Sequence, residues 1–422
     1  MKLVVTTSTL PVDEQDVVPG FVLDQVQVLS QLDVDLEIYV LVPHHAYGEP
    51  VPDRRDFPTH HEVRFHYFFP HSMEKLSGRG ILPALKSNPL RYALIPFFLW
   101  GQRRALKKLC REIQPDLIYA HWFMPQAVVA AGIARRLNIP LMFTSHASDV
   151  SVLKKLPFSR WLVRRCLNVA CRFSAVSQRT ADKMIEFFPP DEWDRNFAGK
   201  LSIIPMGTSI AAVSSQGERL QTNEPLENVA PIGQPYLLFL GRLSEKKGID
   251  YLLDAYAELV QQQRVSHQRL VIAGEGELES RLKEKVIRLG LGASVDFAGF
   301  VNGASKSELL AAADMVILPS IIDEQGDSEG MPVVLMEALS MSRRVIATTV
   351  SGAEEVLTRN SGVLVEPENA SALTSAIASL NEQSAEERHA METSAFDLSK
   401  QFEWVTVGQR YHAMLHEAVG CG

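Results

Sequence analysis

Short apolar runs recur along this chain, each followed by a longer segment whose apolar positions return every three or four residues. In the first half the runs are KLVVTTS, LEIYVLV, VRFHYFF, DLIYAHW, PLMFTSH, RFSAVS and SIIPMG. In the second half they are YLLFLGR, RLVIAGEG, VDFAGF, MVILPS, RVIATTV and GVLVEP. They are β-branched and continuous rather than alternating, which predicts parallel strands covered on both faces. Between them lie helical patterns such as FVLDQVQVLSQL, QAVVAAGIARRL, GIDYLLDAYAELVQ, ELLAAAD and ASALTSAIASL. Strand–helix alternation of this kind predicts doubly wound α/β units. At 422 residues the chain is too long for one ordinary core, so two domains are expected. The polar stretch 211–234, AAVSSQGERLQTNEPLENVAPIGQ, has no apolar period and reads as the linker between domains 1–210 and 235–399. Two such domains would enclose a cleft, with ligands bound beyond the carboxyl ends of the strands.

Charge sharpens this picture. The net charge is −8, yet residues 71–180 hold 18 Lys and Arg against 4 Asp and Glu, which predicts contact with something anionic. Two segments in that block, 90–109 (LRYALIPFFLWGQRRALKKL) and 154–172 (KKLPFSRWLVRRCLNVACR), mix large apolar residues with basic ones. They suit an anionic membrane surface. They equally suit amphipathic helices that cover a sheet and keep a solvated basic face. No nucleic-acid motif accompanies the charge, so nucleic acid is not expected as a partner. The four cysteines, Cys110, Cys166, Cys171 and Cys421, form no CxxC pair and suggest a reduced, cytosolic protein. No HExxH or Cys/His motif is present, so no metal is expected. MKLVVTTSTL lacks the features of a signal peptide, and no apolar run is long enough for a membrane span.

The candidate chemistry sits just after strands. GRLSEKKGID carries Arg242 and Lys247, a fork and a point charge suited to phosphate, although a solvated basic loop would look the same. VIAGEGELE places Gly274 and Gly276 where backbone could approach a ligand, or simply where a tight turn is needed. In SEGMPVVLME, Gly330, Met331 and Pro332 lead into a helix whose free N–H groups favour phosphate. Helix spacing puts Val334, Glu337, Ala338 and Met341 on one side, so Glu337 interrupts an apolar stripe, with Glu329 eight positions back. A charge there is costly without a partner, either a ligand or a nearby base. TSHASDV offers His146 and Asp149, and YAHW offers His121; core packing is the competing account for each histidine. Asp33-Val34-Asp35 precedes a strand and reads as turn charge rather than a Mg²⁺ site.

In this order the motifs resemble the retaining GT-B glycosyltransferases of family 4. GRLSEKKG, VIAGEGE, VDFAGFV, ADMVILPS, SEGMPVVLMEAL and SGVLVEP look like family blocks, and Glu329 and Glu337 have the spacing of its E-x7-E signature. PGFVLDQVQVLSQL, DLIYAHWFMP and IPLMFTSHASDV are similar to members from bacterial exopolysaccharide and cell-envelope synthesis. The resemblance implies two Rossmann-like domains, the first for acceptor and the second for a nucleotide sugar. It also implies that a final helix, about 400–418, packs back on the first domain. Arg242 and Lys247 would bind the donor diphosphate. Glu329 would hold the transferred sugar, with Gly330, Met331 and Pro332 beside sugar or phosphate. Glu337 would grip the ribose, while Gly274, Phe300 and Val301 would flank the base. His146 would lie by the donor sugar, with His121 and Asp149 on the acceptor side. The implied donor is a UDP- or GDP-hexose and the acceptor a glycan, lipid-linked, with no metal or cofactor. The implied location is the cytoplasm, peripheral on the inner face of the membrane. A nucleotide-sugar 2-epimerase and a non-catalytic nucleotide-sugar-binding subunit are the alternatives. Gly20, in the loop after the first strand, would lie on the donor side. Two departures stand out. That loop, TTSTLPVDEQDVVPGF, has only the one glycine where many members have two, and Arg343-Arg344 precede VIA.

Overall fold

The computed structural model describes residues 1–421 apart from 14–15, 17, 19, 47–50, 78–79, 147, 155–157, 209–233, 266–267, 325 and 327. Nearly all of the expected linker 211–234 therefore lies outside the described residues. The contacts divide the chain into two units, Met1–Gly207 with Trp404–Gly422, and Thr208–Glu403.

The first unit is built on strands β1 (Lys2–Thr6), β2 (Glu37–Pro43), β3 (Arg54–Asp56), β4 (His61–Phe65), β5 (Leu117–His121), β6 (Leu141–Ser145), β7 (Arg172–Ala175) and β8 (Leu201–Ile203). They form one sheet in the order β3-β4-β2-β1-β5-β6-β7-β8. All described neighbours are parallel except β3 and β4. β5 and β6 are buried at every position, the burial that their continuous apolar runs require. β3 reads Arg-Arg-Asp and lies at an exposed edge. It carries no apolar signature, and a charged edge strand discourages pairing with other chains. Phe143 and Phe173 stack in the core beneath the helix Val128–Leu137.

The last helix, Trp404–Val419, lies against the helix Phe21–Leu32 of the same unit. Gly408 lets them meet, because a Cβ there would sit 2.4 Å from Val28 Cγ1. The helix buries Trp404, Val407, Tyr411, Met414 and Leu415. Each contributes about 1.5–3 kcal/mol of transfer free energy. Tyr411 also donates its hydroxyl to the carbonyl of Ile204 at 3.0 Å.

The second unit has β9 (Tyr236–Leu240), β10 (Arg269–Ala273), β11 (Val295–Gly299), β12 (Met315–Leu318), β13 (Arg344–Thr348) and β14 (Val363–Val365). Its sheet runs β11-β10-β9-β12-β13-β14, all parallel among the described residues. Strand order reverses beside β9 here and beside β1 in the first sheet. Those are the switch points where doubly wound sheets hold ligands. The Arg343-Arg344 pair is structural. Arg344 is fully buried and donates to Asp314 Oδ1 and the Leu380 carbonyl, both at 2.5 Å. Arg343 donates to the carbonyls of Met341 and Ala313. A buried charge survives only with such partners. Among the described residues no helix is long and apolar enough to cross a membrane.

Candidate active site

In the second unit the chain leaves β9 through Gly241 and β10 through Gly274. These turns touch. Gly274 has φ +129°, and a Cβ on it would lie 1.9 Å from the Gly241 carbonyl oxygen. Gly274 is thus required by the crossing of two loops, whatever else it meets. After Gly241 a single 3-10 turn, Glu245–Lys247, aims both lysines across at the loop that follows β12. The two segments are tied by the Ile321 N–H, which donates to the Lys246 carbonyl at 2.8 Å.

That tie brings charges together. Glu329 has its carboxylate 3.2 Å from Lys247 Nζ and 3.4 Å from Lys246 Nζ, with only 14% of its side chain exposed. Burial works against its charge, yet the two ammonium groups outweigh it and hold the carboxyl at about 2. Behind it Gly352, at φ +86°, packs against the Gly330 carbonyl, where a Cβ would come within 1.9 Å. The turn at Gly352 therefore fixes the backbone of Gly330 and Met331. The helix Val333–Ser340 follows, with Pro332 as its N-cap and no side chain capping it. Among the described residues no side chain accepts from its first-turn N–H groups, which is the usual make-up of an anion site.

Several expected residues are placed differently. The buried face of that helix is Leu335, Met336, Ala338 and Leu339. Glu337 lies beside this face with Val333 and Val334, only partly buried. It does not interrupt the stripe, and it has a protein partner, Lys306 Nζ at 2.5 Å. Among the described residues Arg242 and Lys247 do not share a partner: Arg242 pairs with Glu277 at 3.0 Å, and both of those side chains are nearly half exposed. Phe300, just after β11, is 41% exposed and offers a ring face, with Val301 partly buried beside it. Lys246, Lys306 and Glu277 were not singled out by their positions. Lys246 could have been, since a turn that presents Lys247 must present its neighbour nearby.

At β5 and β6 the carboxyl edge of the first sheet is neutral and aromatic. His121 ends β5 and His146 follows β6, with His121 Nδ1 and His146 Nε2 3.3 Å apart. Phe21 and Trp122 enclose His146 at ring distances of 5.2 and 4.9 Å. Burial lowers the His146 pKa to about 3, and burial followed by the neighbouring His146 holds that of His121 well below the usual imidazole range. Both imidazoles are therefore neutral at physiological pH, able to offer one donor and one acceptor each. Asp149, expected on the acceptor side, is instead a buried staple. Its carboxylate accepts from the N–H groups of Phe123 at 2.5 Å, His146 at 3.1 Å and Val150 at 3.0 Å, and from Ser145 Oγ. It orients the His146 backbone rather than facing a ligand. Gly20 caps the helix Phe21–Leu32 at φ −81°, and a Cβ there would meet only Asp24 and Pro11 at an ordinary 3.9 Å, so its geometry does not demand glycine.

Two doubly wound parallel sheets, one carrying lysines and a carboxylate at an uncapped helix N-terminus, define a two-domain GT-B protein. A family model described as Glycosyltransferase Family 4 matches residues 22–209, and one described as Glycosyl transferases group 1 matches 221–397. The chain belongs to glycosyltransferase family 4 and is a glycosyltransferase. It is 28% identical over 388 residues to a putative teichuronic acid biosynthesis glycosyltransferase, TuaC, of Bacillus subtilis, covering 89% of this chain and 88% of that one. It is 30% identical over 291 residues to a putative colanic acid biosynthesis glycosyltransferase, WcaL, of Escherichia coli, covering 67% and 66%. The fold matches that of Anabaena HepE, solved in complex with UDP-glucose, with a TM-score of 0.68, 20% identity and 99% of each chain covered.

Proposed function

We propose that this enzyme transfers a hexose from a UDP- or GDP-sugar to a growing cell-envelope, capsular or exopolysaccharide glycan, with retention and without a metal. The observation that carries this reading is Glu329 held between Lys246 and Lys247 at the foot of an uncapped helix. The relatives named for teichuronic and colanic acid synthesis, and the UDP-glucose held by HepE, support the choice of substrates.

The charges suggest a division of labour. As the leaving diphosphate departs, negative charge builds on its oxygens. Lys247, Arg242 and the N–H groups beyond Pro332 are placed donors for that charge, doing what Mg²⁺ does elsewhere. Diphosphate then replaces Glu329 as the partner of Lys247, and the freed carboxylate takes the hydroxyls of the transferred hexose. Arg242 first exchanges Glu277 for phosphate. Glu337, already neutralised by Lys306, takes the ribose diol with its second oxygen, and Phe300 with Val301 flanks the base. His146 and His121 serve the sugars as neutral hydrogen-bonding groups. Same-face attack, with the leaving phosphate accepting the acceptor proton, needs no covalent nucleophile on the protein.

The acceptor is lipid-linked in this proposal, and the enzyme works at the cytoplasmic leaflet. The helix Ile95–Ile113 exposes Phe97 and Trp100, and the helix Ser159–Val169 exposes Trp161. Arg104 lies 5.4 Å over Trp100, and Arg165 lies 5.3 Å over Trp161. Arg111 and Arg136 lower the pKa of Lys107, a sign of concentrated positive charge. Aromatic rings with basic neighbours suit an anionic lipid surface. The test is a screen of UDP-, GDP- and ADP-sugars with lipid-linked glycan acceptors, following nucleotide release and product. A glycan extended by one hexose supports the proposal. A C2-inverted nucleotide sugar, or tight donor binding with no turnover, overturns it.

A further inference from the structure

Apart from the residues assigned to transfer, the first unit gathers histidines around one carboxylate. His44 follows β2, His66 follows β4, and Glu74 follows the 3-10 turn His71–Met73. Glu74 is fully buried. Its Oε1 accepts the N–H groups of Tyr67 at 2.6 Å and Phe68 at 3.0 Å. Three imidazole nitrogens surround its Oε2: His66 Nδ1 at 2.7 Å, His44 Nδ1 at 3.3 Å and His71 Nδ1 at 3.5 Å. Of the three, His71 Nδ1 has a nearer partner in the Phe68 carbonyl at 3.0 Å, which leaves His66 and His44 facing the oxygen. Among the described residues His44 Nδ1 is buried and close to Oε2 yet makes no hydrogen bond.

A cation changes that accounting. Ligand atoms about 2.0–2.1 Å from a tetrahedral ion lie roughly 3.3 Å from one another. The ligand atoms of His44, His66 and Glu74 all lie within 4.8 Å of one another, and His44 Nδ1 is 3.3 Å from Glu74 Oε2. The surrounding contacts are those that orient metal ligands. His66 turns its other nitrogen, Nε2, toward Asp53 Oδ1 at 3.3 Å, giving a carboxylate–histidine pair behind the site. The backbone of Tyr67 and Phe68 holds the far oxygen of Glu74. Solvent can reach the group, since the His66 side chain is 30% exposed.

We propose that His44, His66 and Glu74 bind one divalent transition-metal ion, with Zn²⁺ matching the two-imidazole, one-carboxylate set, and that the ion clamps the carboxyl ends of β2 and β4. His71 or solvent fills the fourth position. Imidazole and carboxylate ligands suit Zn²⁺ and its spectroscopic substitute Co²⁺. The role is structural and separate from the metal-free transfer proposed for the second unit. The motif is invisible in linear spacing because its three ligands come from three elements.

The test uses the full chain, stripped with chelator and titrated with ZnCl₂ by calorimetry and with CoCl₂ by visible absorption. The expected result is one equivalent of Zn²⁺, a tetrahedral Co²⁺ spectrum without thiolate bands, and a rise in Tm on adding Zn²⁺. His44→Gln and His66→Gln each lower affinity at least 100-fold, and Asp53→Asn lowers it about tenfold. Circular dichroism checks that each variant is folded, and the wild-type Tm response needs no variant. A second, more exposed group, Asp33 with His412 and His416, is the control, so His412→Ala should leave the equivalent in place. Absence of binding by the wild type overturns the proposal. So does an equivalent that survives His44→Gln and His66→Gln and disappears in His412→Ala.

Discussion

Apart from the edge strands β3 and β8, the two sheets share a strand order, but they differ in what they place at their carboxyl edges. The second presents charge: Lys246, Lys247 and Glu329 beside a helix N-terminus with no side-chain cap. The first, at β5 and β6, presents neutral imidazoles inside a shell of Phe21 and Trp122, with its one local carboxylate, Asp149, turned inward as a staple. The difference suits the two tasks proposed for these edges. A diphosphate needs fixed positive charge, whereas a sugar hydroxyl needs hydrogen-bonding groups that do not change charge near neutral pH. One fold serves both because the sheet only supplies a rigid edge, and the residues after each strand decide the chemistry.

The largest expected effect comes from removing charge at the charged edge. Lys247→Ala should lower kcat about 100- to 1,000-fold, the loss typical when a donor to a developing anion is removed. A steady-state assay of nucleotide release measures it, and unchanged turnover would erase the proposed difference between the two edges.

Glu329→Gln probes the same edge through stability. The Glu329 pKa is depressed from 4.5 to about 2, so its stabilisation is complete above about pH 4.5 and is lost as pH falls toward 2. The shift corresponds to about 3 kcal/mol. Urea unfolding at pH 7 should show the variant less stable by that order, with the gap closing by about pH 2. A pH-independent gap would mean that Glu329 is not held charged by the lysines.

At the neutral edge the effects are smaller. His146→Ala should lower transfer roughly tenfold through lost hydrogen bonding. Because the imidazole is neutral down to about pH 3, the wild-type rate between pH 5 and 8 should carry no limb that vanishes in this variant. Such a limb would show that His146 titrates as an acid or base. Burial of neutral His146 also makes the fold less stable as pH falls from about 6.5 toward 3, because the unfolded chain binds the proton first. The smallest effect concerns the basic surface. Trp100→Ala with Trp161→Ala should weaken flotation with anionic vesicles severalfold, and binding should fall with salt.

Most of the fold was legible because buried parallel strands advertise themselves as unbroken apolar runs. β3 was not, since Arg-Arg-Asp at an edge has no apolar period. At the site, Lys247 and Glu329 could be read because the motifs place one in the loop after β9 and the other just before a helix. The partner of Glu337 could not, because Lys306 comes from another helix, and the apolar stripe assigned to Glu337 was displaced from the face that packs. Arg344 looked out of place in a buried strand until Asp314 and Leu380 supplied its partners. The clearest missed signal is local density. Six of the twelve histidines fall between His44 and His71, a clustering that marks a region without showing which side chains converge.

The central claim is that the lysine–glutamate edge of the second unit is a nucleotide-sugar site. Calorimetric titration of the wild type and of Lys247→Ala with UDP and with GDP tests it most directly. One equivalent of one of these nucleotides should bind the wild type, and at least tenfold more weakly the folded variant. Equal affinity for both proteins, or no binding of either nucleotide by the wild type, would contradict it.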